Sequence, residues 1–222
     1  MTGYRIYRDN ALEATTGGTR TSYADSGVAP ATTYTYEVTA IDAVGRESPR
    51  SNAATVTTPP APALTHVFAP TDDAYVDQTA SSTNFGTAAR LIVDASPTDN
   101  LLLRFDVATG GCDITGAKLR LTVGAGSGDG SLKGGAFSPT VTAGWSESTV
   151  TWANAPSAGA TVVGSLGAVS PGQTYEIDLS STVNVDGPVS LRAGSTSSGA
   201  ARYVSKEGSA TFGPQLVVTC AQ

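Results

Sequence analysis

Charge is scarce in this sequence. Only 14% of its 222 residues are Asp, Glu, Lys or Arg, the formal balance is −6, and no basic run interleaves with aromatics. The electrostatic footprint of a nucleic-acid-binding protein is therefore missing. No stretch approaches the roughly 20 apolar residues that a membrane-spanning helix requires, which excludes membrane insertion by helices. The opening "MTGYRIYRDN" lacks the basic and apolar regions of a signal peptide. Histidine occurs once, at His66, and no nucleophile-elbow motif accompanies it, so a Ser-His-Asp site has no basis. The lack of a histidine–cysteine cluster likewise excludes a conventional zinc site.

What remains is rich in Thr, Ser, Val, Ala, Gly and Pro, a composition suited to strands and turns. Proline density peaks at "TTPPAPA", residues 57–63, which divides the chain into residues 1–58, a stiff linker at 59–63, and residues 64–222. The first part carries five basic and six acidic side chains and the second eight and thirteen, so neither is an electrostatic clamp.

In the first part "GYRIYRD", "TYTYEVTAID" and "SNAATVTT" alternate as strands. The spacing Val28-x-Pro30-x-Thr32-x-Tyr34 resembles the second half of a fibronectin type III domain and places Tyr34 in a tyrosine corner. The first two strands of such a domain are absent. Residues 1–58 are therefore expected to borrow strands from another chain or to expose an apolar face and an open sheet edge.

The second part shows about ten short strand patterns and no convincing helix, which predicts an all-β, antiparallel sandwich of jelly-roll type. "LTHVFAP", "NLLLRFDV", "AKLRLTVG", "TVTW", "PVSLRAG" and "PQLVVTC" are among the expected strands. Cys112 opens one and Cys220 closes the last, so a disulfide is expected, and with it an oxidising, extracellular setting. "DDAYVDQTASSTNFGTAARLIVDAS", "LLLRFDV", "ITGAKLRLTV", "WSESTVTWANAP", "YEIDLSSTV" and "PQLVVT" resemble, in order and spacing, the DNRLRE domain family, also classified as carbohydrate-binding module family 96. That resemblance implies a secreted bacterial β-sandwich, often appended to a polysaccharide-degrading enzyme, with alginate binding in some members.

Alternation within the strands turns Arg104, Lys118, Arg120 and Arg192 away from their apolar neighbours. If those strands share one sheet, the four cations form a ladder suited to the carboxylates of an acidic polysaccharide; the bland alternative is a solvated face. Trp145 and Trp152 stand seven apart and would face opposite ways on an unbroken strand. One or both are expected to be framework residues, with Trp145 kept as the aromatic ligand contact. Asp72, Asp73 and Asp77 crowd one segment as candidate ligands for structural Ca2+, with Asp94, Asp99 and Asp178 able to approach; local turn chemistry is the alternative. Glu147, Glu176 and Glu207 are the only glutamates of this part and give no pattern of a paired-carboxylate glycosidase, so the chain reads as a non-enzyme.

Overall fold

A computed structural model describes residues 1–18 and 20–221, and among these residues no helix occurs. Fifteen strands follow in chain order: β1 (Gly3–Arg8), β2 (Ala11–Gly17), β3 (Thr33–Ile41), β4 (Ala54–Thr57), β5 (Leu64–Phe68), β6 (Asp72–Asp77), β7 (Arg90–Ala95), β8 (Thr98–Val107), β9 (Asp113–Thr122), β10 (Gly135–Pro139), β11 (Gly164–Leu166), β12 (Thr174–Asp178), β13 (Gly187–Gly194), β14 (Ala201–Val204) and β15 (Gln215–Ala221). They separate into two compact units, Met1–Pro62 and Ala63–Gln222.

The first unit is a single antiparallel sheet in the order β2-β1-β3-β4. Asp9 and Asn10 turn β1 into β2 with φ of 48° and 70°, the left-handed conformation that short polar side chains tolerate best. Sequence alternation did not show β2, whose Leu12 is exposed. On one face Arg5, Tyr7 and Thr39 converge on Glu47. The hydroxyls of Thr39 and Tyr7, with the Arg5 guanidinium, lower that carboxyl to about 2. On the other face Tyr4, Ile6, Tyr23, Tyr36 and Val38 line an open groove of about 610 Å³. On this face Ile6 is buried, Tyr4 and Tyr36 are half-buried, and Tyr23 and Val38 are exposed. The Tyr34 hydroxyl accepts a hydrogen bond from the Ala29 amide at 2.8 Å, the backward contact of a tyrosine corner.

The second unit is an antiparallel β-sandwich. One sheet runs β11-β10-β13-β8-β7-β14, with β6 also paired to β8; the other runs β12-β9-β15-β5. Leu101, Leu103, Phe105 and Leu191 of the larger sheet pack against Leu119, Leu121, Leu216 and Val218 of the smaller. Period-two alternation accounts for this: Arg104, Asp106, Lys118 and Arg120 alternate outward with inward Leu103, Phe105, Leu119 and Leu121, while the outward Leu102 is buried on the other face. A Val123–Tyr203 bridge joins the sheets along one side and curls them toward a half-barrel. Cys112 and Cys220 form the expected disulfide, with a Cα–Cα distance of 5.9 Å. It fastens the entry of β9 to the end of β15, which the Cys220–Ile114 pairing already sets side by side.

One strand expectation fails. "TVTW" (149–152) lies in turns, because Asn154 accepts from the Thr151 amide at 2.7 Å through Oδ1 and its Nδ2 donates to the Thr149 carbonyl at 3.0 Å. An asparagine that bonds its own backbone offers the chain a turn in place of a ladder.

Candidate functional site

Segment 144–156 folds over the outward face of the larger sheet. There the register aligns Asp72, Arg104 and Ser190 in one cross-strand row, and Ala74, Leu102, Arg192 and Ser138 in the next. Trp145 and Val150 pack on Ala74, Val76 and Leu102, forming a second small core on the outside of the sandwich. Three ties hold the segment down. The Trp145 indole donates to Ser190 Oγ at 2.9 Å. The Glu147 amide donates to Asp72 Oδ1 at 3.0 Å, and the Asp73 amide to Glu147 Oε2 at 3.1 Å. Asn84 Nδ2 donates at 2.6 Å to the carbonyls of Glu147 and Val150. Gly86 admits the segment so closely that a Cβ there would lie 2.0 Å from the Glu147 carbonyl oxygen; only glycine fits.

Arg192 lies at the open border of this segment. Its Nη1 donates to the Pro156 carbonyl at 2.9 Å, and its guanidinium carbon sits 5.2 Å from the centre of the half-buried Trp152 ring. The Asn100 amide, with its oxygen turned toward the guanidinium, accepts from Nη2 at 2.9 Å and Nε at 3.1 Å. Every one of these partners is neutral. Among the described residues no carboxylate stands within ion-pair distance of Arg192, and burial lowers its pKa. A half-buried cation without an anion, beside an aromatic ring, is chemically fit to receive a carboxylate and the face of a sugar ring.

The four-cation ladder does not form. Arg104 and Arg192 lie on the larger sheet, whereas Lys118 and Arg120 lie on β9 of the smaller. Arg104 is held by Asp72 at 2.5 Å. Lys118 and Arg120 share Glu176, at 2.9 and 2.8 Å. Three of the four charges are therefore paired with carboxylates, and Arg192, among the described residues, is not. Trp145 is corrected as well: it is 8% exposed with its N–H satisfied, so it presents no ring face to a ligand. Trp152 is the half-buried indole of the two, and its ring lies beside Arg192. The signals that sequence reading missed are Asn100 and the Pro156 carbonyl, which become partners only through the β8–β13 register and the fold of the segment.

Asp72, Asp73 and Asp77 do not converge on one metal position. Adjacent strand residues point oppositely, which sends Asp72 to Arg104 and Asp73 to the other face; Asp77 caps the turn at Thr79 through bonds of 2.7 Å. Asp73 instead meets Glu147 and Glu207, and the Lys206 ammonium fills that cluster, 2.6 Å from Glu147, 3.9 Å from Asp73 and in contact with Glu207.

Burial, reinforced by the charge of Glu207, pushes the Asp73 carboxyl up to about 7. Its proton is then bound more tightly in the folded than in the unfolded chain. The stability this confers is complete below about pH 4 and is lost as pH rises toward 7. Asp73→Asn, which keeps an acceptor for the Lys206 amide, should gain in stability relative to the wild type as pH rises from about 4 to about 8, read from chemical denaturation at both pH values; an advantage that shrinks as pH rises would contradict this.

Together these observations define a β-sandwich module that carries an aromatic–cationic platform on the outward face of one sheet. The chain belongs to carbohydrate-binding module family 96, whose model matches residues 65–220, a non-catalytic family. It is 51% identical over 59 residues to an alpha-amylase of Niallia circulans, covering 27% of this chain and 4% of that protein. It is 36% identical over 95 residues to exoglucanase B of Cellulomonas fimi, covering 39% and 8%. The chain thus spans a small fraction of these relatives. Chitinase ChiA74 from Bacillus thuringiensis aligns with 86% of the chain and 21% of its own, at 18% identity and a TM-score of 0.22.

Proposed function

We propose that the second unit binds an acidic polysaccharide, alginate-like in carrying a carboxylate on its sugar rings, across Trp152 and Arg192, and that it keeps an attached enzyme close to its substrate. The observation that carries this reading is the Arg192 guanidinium, which stacks near a half-buried indole and has only neutral partners. A uronate would supply the missing anion to the fork of the guanidinium while its ring packs on Trp152. The disulfide fits an oxidising, extracellular setting. The names of the two relatives support attachment to enzymes of polysaccharide breakdown, and multivalent attachment would compensate for weak affinity of one module. The first unit, with its tyrosine-corner contact, serves in this reading as a partial fibronectin type III spacer.

A second reading, a neutral glucan stacked on Trp152, draws on those same two names. Affinity electrophoresis on gels containing a uronan, a starch or a β-glucan separates the two. We expect retardation on the uronan, reduced about tenfold or more in affinity by Trp152→Ala. Retardation on a glucan alone would favour the second reading. Retardation on no polymer would overturn both and leave a structural or adhesive stalk module.

A further inference from the structure

Past the platform, the sheet face that carries Arg192 continues as an open groove. Two residues along β13 from Arg192, Gly194 stands opposite Ala136 of β10, and Ala136 stands opposite Ser165 of β11. Residues two apart on a strand share a face about 7 Å apart, so Gly194, Ala136 and Ser165 form the outward row next to that of Arg192 and Ser138. This row lines a groove of about 390 Å³, and its glycine and alanine leave a floor low enough for a ligand to approach the backbone. A Cβ on Gly194 would lie 3.1 Å from the Asn100 side-chain amide, which sets the groove directly against the group that holds the Arg192 guanidinium. At the rim the Ser195 hydroxyl donates to the Lys133 carbonyl at 3.4 Å and ties the Leu132–Lys133 loop to the end of β13. Charge on the lining is one-sided. Residues 64–222 carry thirteen acidic side chains against eight basic ones, yet the groove lining holds no carboxylate and its one ionisable group is Lys133. Among the described residues no carboxylate lies within ion-pair distance of Lys133. Beside it Leu132, 81% exposed, offers an apolar surface.

We propose that this groove is a second uronate subsite, continuous with the Trp152–Arg192 platform, in which the Lys133 ammonium pairs with the carboxylate of a further sugar residue of the same polymer. The inference rests on the acidic-polysaccharide reading and gives it a direction: the polymer crosses β13, β10 and β11 from Arg192 toward Lys133. Neighbouring strands lie about 4.8 Å apart, so these three span about 10 Å, room for sugar beyond the ring on Trp152. Lysine suits the outer position because its ammonium is a point charge on a flexible stem that follows a carboxylate without fixed geometry. The Arg192 fork, in contrast, sets the orientation of the ring beside the indole. Ser165 and Thr196, both exposed on the lining, bring hydroxyls to those of the sugar.

The test is calorimetric titration of the whole chain with a uronate disaccharide and with a uronate hexasaccharide. The wild type should bind the hexasaccharide more tightly. Lys133→Met, a change at an exposed side chain, should weaken hexasaccharide binding by roughly threefold to fivefold and leave disaccharide binding unchanged. Ala136→Glu, which plants a carboxylate on the exposed floor of the groove, should weaken hexasaccharide binding by about tenfold through like-charge repulsion, again without effect on the disaccharide. Undiminished hexasaccharide affinity in Lys133→Met or in Ala136→Glu, with Arg192→Met impaired, would overturn the subsite and leave the platform standing. Failure of the wild type to bind either oligosaccharide would overturn the platform and the subsite together.

Discussion

Trp145→Ala should cost the second unit about 3–5 kcal/mol and lower its thermal midpoint by roughly 10 °C. The indole is the largest side chain of the small outer core, buried against Ala74, Val76, Leu102 and Val150. Truncation removes that area, leaves a cavity between the segment and the sheet, and strips Ser190 Oγ of its indole donor. Trp145→Phe retains most of the packing and loses only the N–H, so a cost near 1 kcal/mol is expected. Chemical denaturation of the two variants separates these contributions. Because segment 144–156 also carries Trp152 and the Pro156 carbonyl, Trp145→Ala should weaken ligand binding indirectly, while Trp145→Phe should not. Equal stability of wild type and Trp145→Ala would show that the segment is not held by this side chain.

Opening the disulfide should have an effect of similar size. Cys112 and Cys220 are 108 residues apart in sequence, and closing so long a loop restricts the unfolded chain by about 4–5 kcal/mol in the chain-entropy view. Most domains are stable by only about 5–15 kcal/mol, so the Cys112→Ser/Cys220→Ser pair should unfold far below the wild-type denaturant midpoint while keeping its native sheet content at low temperature. The β9–β15 pairing in the folded state brings the two residues together without the bond, which is why the folded structure should survive. An unchanged midpoint would mean that the unfolded chain is already compact enough to lose little by cross-linking.

Much of this architecture was legible because burial in strands is written with a period of two. Leu103, Phe105, Leu119 and Leu121 fall inward and Arg104, Lys118 and Arg120 outward, as their alternation says. Alternation does not say which strands become neighbours. Lys118 and Arg120 looked equivalent to Arg192, yet β12 brings Glu176 against the first two, while β8 and the 144–156 segment bring only an amide, a carbonyl and an indole to the third. The choice between Trp145 and Trp152 was open for the same reason: a turn secured by Asn154 replaces the strand that would have fixed their directions. The aspartates show the limit most clearly. Asp72, Asp73 and Asp77 are close in sequence and go to three different environments: the ion pair with Arg104, the cluster around Lys206, and the turn at Thr79.

The central claim is that Arg192 reads a carboxylate beside the Trp152 ring. It is tested most directly by calorimetric titration of the protein with a uronan and with the same polymer after its carboxylates have been reduced to alcohols. The account predicts binding of the uronan that weakens with added salt, loss of about tenfold or more in affinity on carboxyl reduction, and a similar loss in Arg192→Met with the unreduced polymer. Equal affinity for the two polymers, or for wild type and Arg192→Met, would contradict it.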